Sequence, residues 1–140
     1  MSQYLGIDMG DRRIGLATGN DETGIARPLE ILRRSDDPED RAVFQRLKEL
    51  IKEWGVEVIV VGDPINMDGS RGERSEVSHA FAKRLKKAFR QVQVVLSDER
   101  LSSYEADAWM DDDGIRPSKR KENRDAYAAA TILRHYFGDS

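Results

Sequence analysis

The chain has 140 residues, 39% hydrophobic and 35% charged, with a formal net charge of −3 and no cysteine. That length suits a single domain over residues 1–140, and the composition disfavours disorder. The missing cysteine rules out disulfides and thiolate-bound zinc, and no stretch is apolar enough to span a bilayer, so a cytoplasmic protein with no membrane partner is expected.

Residues 3–9 and 12–18 read as strands joined by a tight turn at Gly10-Asp11. A third strand is expected over Ile25 to Leu32, with Pro28 marking a bulge or an edge position. Asp37 is a candidate helix N-cap with Pro38 at the first helical position. Val43, Leu47, Leu50, Ile51 and Trp54 then recur at helical spacing up to Gly55, which predicts a helix from 38 to 54.

Val56 to Val61 is a continuous apolar run, as in a parallel strand covered on both faces. Val77, Phe81, Leu85 and Ala88 mark a second helix, and Val92 to Leu96 a further strand. Ser102-Ser103-Tyr104-Glu105 reads as a capping box opening a third helix through Trp109 and Met110. Gly114, Pro117 and the basic segment after them read as a loop of low local stability, a candidate lid. Asp125, Ala129, Ile132, Leu133 and Tyr136 form the stripe of a last helix. The order is β-β-β-α-β-α-β-α-α, an α/β fold.

Three carboxylates stand where a hydrophobic element prefers an apolar side chain: Asp8, Glu99 and Asp125. Asp8 closes the first strand, Glu99 follows the last one, and Asp125 lies on the inward stripe of the last helix. Open α/β sheets build their sites at the carboxyl ends of strands, so the three acids can converge. Convergent carboxylates suit Mg²⁺ or Mn²⁺, and a pair of such ions roughly 3.5 to 4 Å apart supports phosphodiester hydrolysis. Each acid also has an ordinary reading: Asp8 as a turn former, Glu99 as a partner of Arg100, Asp125 as company for a helix N-terminus.

Net charge does not advertise nucleic-acid binding, but basic residues cluster at Arg12-Arg13, Lys83 to Arg90 and Lys119 to Arg124. Solvated helix faces would look the same. The two histidines, His79 and His135, read as surface or packing residues.

Leu5-Gly6-Ile7-Asp8-Met9-Gly10, Arg13 to Ala17, Val60 to Gly69, Asp98-Glu99-Arg100-Leu101-Ser102 and Asp125 to Leu133 together resemble the YqgF family of Holliday-junction-resolvase-like, pre-16S rRNA nucleases. The resemblance spans Tyr4 to Phe137. It implies a ribonuclease H-like fold, a five-stranded mixed sheet flanked by helices, and a divalent-metal nuclease site. By position, Asp8, Glu99 and Asp125 would be the catalytic metal ligands. Asn66 would sit beside them, or serve only as a turn residue. Arg13 and Arg100 would contact phosphate, although Arg100 could equally hold Glu99. The basic helix around Lys83 to Arg90 and the Pro117 to Lys121 segment, with Lys121 as a substrate contact, could lead the nucleic acid to the metals.

Asp63 departs from the leucine usual in that family and could add a ligand, as could Glu122, one turn before Asp125. The implied partner is nucleic acid, either pre-16S rRNA on a ribosomal particle or branched DNA, with the protein acting as a monomer or homodimer. Two other classes remain open: an actin-like ATP-binding domain, and a non-catalytic nucleic-acid or transcription adaptor.

Overall fold

The computed structural model describes residues 2–100 and 102–138, with the side chains of residues 102 and 103 outside the description. Its elements are β1 (Gln3–Met9), β2 (Arg13–Asn20), β3 (Ile25–Arg33), α1 (Arg41–Trp54), β4 (Val56–Pro64), α2 (Glu73–Ala88), β5 (Gln93–Glu99), α3 (Ser102–Asp112) and α4 (Pro117–Tyr136). The order matches the sequence reading.

The five strands form one mixed sheet in the order β3-β2-β1-β4-β5. β1, β2 and β3 are antiparallel neighbours, while β4 and β5 run parallel to β1. The register between β2 and β3 shifts between Leu16 and Ala17, opposite Glu30 and Pro28, so Pro28 does mark an irregularity on an edge strand.

Both faces of the sheet are covered, which explains the unbroken apolar run in β4. Ile59 and Val61 join Ile7, Leu47, Phe81 and Leu85 in a core beneath α1 and α2. Val58 and Val60 face the other way, into a core with Ala129, Ile132 and Leu133 of α4. A third cluster, Ala106, Met110, Tyr127 and Ala128, joins α3 to α4. No helix among the described residues is long and apolar enough to cross a membrane.

Several expected boundaries shift. α1 begins at Arg41, not Pro38; its N-cap is Asp40, in the left-handed region at φ 53°, while Asp37 accepts the Arg41 backbone N–H from outside the helix. Asp40 is buried because Arg34 and Arg84 both donate to its carboxylate, at 2.8 and 2.9 Å. Those two cations outweigh the effect of burial and hold its pKa below the usual carboxylate value.

The segment read as a candidate lid is largely helix. Pro117 sits in the first turn of α4, where its missing N–H costs nothing, and the basic residues 119–121 belong to the first turns. Ile115 is tied back by its N–H to the Met110 carbonyl. Asp125 therefore lies two turns inside α4. In α2 the buried stripe is Ser75, Ser78, Phe81, Ala82 and Leu85, whereas Val77 is exposed, as are Trp54 and Tyr136 at the rims. The capping box at Ser102 rests on side chains outside the described residues.

Candidate active site

Asp8 alternates with Ile7 and Met9, which point into the core under α1 and α2, so its carboxyl faces α4. Its cross-strand partner is Gly15. A Cβ on Gly15 would lie 1.9 Å from the Asp125 carbonyl oxygen, so only glycine lets the helix backbone rest directly on β2. A Cβ on Gly6 would likewise fall 2.8 Å from the Ala129 carbonyl oxygen. These two side-chain-free positions seat α4 against the sheet and bring Asp125 beside Asp8.

The electrostatics report that proximity. The Asp8 carboxyl is pushed up to about 7, first by burial, then by the charge of Asp125, with Glu99 adding to the push and Arg74 opposing it. Arg74 also reaches the Met9 carbonyl at 3.5 Å. Asp125 is compensated from the other side by Arg13, whose Nε lies 3.1 Å from Oδ2.

Glu99 is the last residue of β5 and is buried, but its carboxylate turns to His135 on α4. His135 Nδ1 lies 2.8 and 3.0 Å from the two oxygens of Glu99, and Nε2 lies 2.5 Å from Glu105. Burial pushes Glu99 up to about 7 against the opposing pull of His135. Burial alone would lower His135, but carboxylates at both ring nitrogens outweigh it and raise the imidazole above its usual value. His135 is thus the principal partner of Glu99, not a bystander, and Arg100 does not fill that role. Arg100 instead lies against the 66–70 loop, 3.5 Å from where a Gly69 Cβ would be.

Asn66 serves as a turn residue: its Nδ2 donates to Ser70 Oγ at 2.9 Å, and its carbonyl accepts from the Gly69 N–H. Asp63 points to the opposite face. It is buried and accepts from Ser75 Oγ at 2.5 Å and Arg71 at 2.6 Å, with His79 Nε2 at 2.8 Å. His79 therefore braces Asp63. Glu122 is exposed and pairs with Lys119 at 3.8 Å.

Beside the acid pair lies a cleft of about 840 Å³ lined by the Gly10–Arg13 turn, the end of β3, Lys121 and Asp125. Arg13 and Lys121 thus meet at the acids, while Asn66 and Arg100 belong to the loop after β4. Among the described residues no three acids or histidines converge as a finished metal cage. Asp8 and Asp125 nevertheless offer only carboxylate oxygens, the donors hard cations take, and the Asp8 pKa, raised first by burial and then by the charge of Asp125, marks a carboxylate whose ionised form lacks a full counter-charge.

The comparisons with known proteins agree with this frame. A family model described as RuvX, Holliday junction resolvase, matches residues 2–139. A protein of Anaeromyxobacter sp. that bears the name pre-16S rRNA nuclease is 41% identical over 94% of this chain and 93% of its own. One of the same name from Edwardsiella ictaluri is 40% identical over 95% and 92%. Among solved structures, Thermus thermophilus RuvC in complex with a Holliday junction substrate has a TM-score of 0.57 at 24% identity, covering 98% of this chain and 94% of that one. The yeast mitochondrial Holliday junction resolvase has a TM-score of 0.55 at 14% identity, covering 99% and 80%. These structural likenesses establish the ribonuclease H-like fold. The chain belongs to the RuvX family of nucleases, as the resemblance of its motifs to YqgF proteins implied.

Proposed function

We propose that this protein is a divalent-metal-dependent endonuclease that trims the 5′ end of pre-16S rRNA during ribosome biogenesis in the cytoplasm. The observation that carries the reading is the coupled carboxylate pair of Asp8, near the end of β1, and Asp125 of α4, which lines a cleft with arginines and a lysine among its walls. The names of the relatives at about 40% identity supply the substrate.

In this reading Asp8 and Asp125 hold Mg²⁺ or Mn²⁺, and Glu99 completes the ligand set. The ion would lower the pKa of a water and stabilise charge on the phosphate. The chain's own residues position the nucleic acid. Arg13 lies next to Asp125 and Lys121 one turn before it on α4, so both can engage phosphate oxygens as the backbone settles over the acids. No side-chain nucleophile is required.

Cleavage of four-way DNA junctions is the second reading, favoured by the description of the matching family. Symmetric junction cutting suits a two-fold dimer, whereas rRNA trimming can be done by a monomer on a ribosomal particle. Incubating the protein with a 5′-extended 16S rRNA precursor and with four-way junctions, in Mg²⁺ and in Mn²⁺, separates the two. Preferential cutting of the precursor supports the first reading. Preferential cutting of junctions replaces it with the second.

A further inference from the structure

Most basic residues near the acid pair are already engaged. Arg13 is paired with Asp125, Arg34 with Asp40, Arg124 with Asp107 at 3.0 Å, Arg120 with Asp111, and Lys119 with Glu122. Three cations lining the cleft have no ion-pair partner among the described residues: Arg12 in the turn after β1, Arg33 at the end of β3, and Lys121 on α4. All three are exposed.

They come from three separate elements. Arg33 is placed by its register opposite Arg13, and Lys121 shares a helical face with Asp125 at i−4. A second cavity of about 470 Å³ shares Arg13, Arg33 and Lys121 with the first. Asp11 and Asp36 also line the first cavity and Glu122 the second, so the unpaired cations form one wall of a groove of mixed charge that runs from Asp125 to the open edge of the sheet at β3. None of the residues lining it is aromatic, so it offers no platform for stacking bases.

We propose, resting on the nuclease reading above, that Arg12, Arg33 and Lys121 are the phosphate-binding wall along which the substrate backbone enters, over the β3 edge, and that they grip it without regard to sequence. The other exposed basic cluster, Lys83 to Arg90, lines neither cavity. α2 runs from the carboxyl end of β4 back toward the amino end of β5, and Arg84 of that cluster is spent on Asp40.

The test is binding of short fluorescein-labelled single-stranded RNAs in EDTA, read by anisotropy across a salt series, so that no cleavage is involved. Removing one cation that neutralises a phosphate should reduce the slope of log K against log salt by about 0.7. Combining Arg12→Gln, Arg33→Gln and Lys121→Gln should therefore flatten it by about 2, while Lys83→Gln with Lys86→Gln leaves it unchanged. Two unrelated sequences should bind within about twofold of each other. An unchanged slope in the triple variant, an equal reduction in the α2 variant, or a tenfold sequence preference would overturn the proposal. Cleavage by wild type with an unchanged triple-variant slope removes the groove alone. The expected slopes without any cleavage on adding metal would remove the nuclease reading and leave the groove.

Discussion

The carbonyl oxygen of Asp125 occupies the space where a side chain on Gly15 would begin, and Gly15 is itself the cross-strand partner of Asp8. One missing Cβ thus joins the two acids of the candidate site. A methyl group there meets helix backbone, which cannot rotate aside as a flexible side chain does, so α4 has to lift. Gly15→Ala should cost about 1 to 3 kcal/mol of stability and should reduce cleavage well beyond what the unfolded fraction explains. Urea denaturation together with cleavage per folded molecule checks this; full activity in a stable Gly15→Ala protein would show that α4 seating does not set the site.

Asp8 gives the metal-free protein a definite pH dependence. Its folded pKa of about 7 lies above the unfolded value near 3.8, so between them the folded state binds more protons than the unfolded one. Stability from this group is therefore retained at low pH and lost as pH rises towards 7. Asp8→Asn should match wild type at about pH 4 and be the more stable of the two at about pH 8 in EDTA. Parallel urea midpoints at the two pH values would reveal it, and identical pH profiles would contradict the buried, coupled carboxyl.

A cation should reverse that loss. Binding to the folded state alone adds about 2.7 kcal/mol at a hundred times Kd. Mg²⁺ or Mn²⁺ should thus raise the melting temperature of wild type at about pH 8 more than at about pH 5, where Asp8 holds its proton, and should not raise that of Asp8→Asn. Equal stabilisation of both proteins would place the ion elsewhere.

Asp63 sits on the other side of the sheet, where its partners are structural. Asp63→Ala leaves the buried Ser75 hydroxyl without its acceptor and should cost about 1 to 3 kcal/mol. Asp63→Leu fills the space and should cost less than the alanine variant, because a buried ion pair can be replaced by apolar packing. Both should keep cleavage. Loss of cutting in a folded Asp63→Leu protein would bring this acid into the chemistry.

The element order and the residues of the acid pair are legible in the sequence because each has a local signature. An acid closing an apolar strand and another on an apolar helical stripe stand out by themselves. What stays hidden depends on pairing at long range. His135 gains its meaning only when α4 crosses to β5, 36 residues away, and brings it to Glu99. Arg33 becomes part of the cleft only through the β2–β3 register that sets it opposite Arg13. Gly15 is an unremarkable strand glycine until Asp125 is laid across it. The start of α1 is not legible either, because Asp37 does accept a backbone N–H, but from a turn that precedes the helix, where buried Asp40 is fixed by two arginines.

The most direct measurement is cleavage of a 5′-extended 16S rRNA precursor, with Mg²⁺ and with Mn²⁺, by wild type and by Asp8→Asn. Wild type should cut, and the variant, folded and still binding the RNA, should be slower by about a hundredfold or more, the scale of losing one preorganised electrostatic group. An Asp8→Asn protein that cuts as fast as wild type would contradict the assignment of Asp8 to the nuclease site.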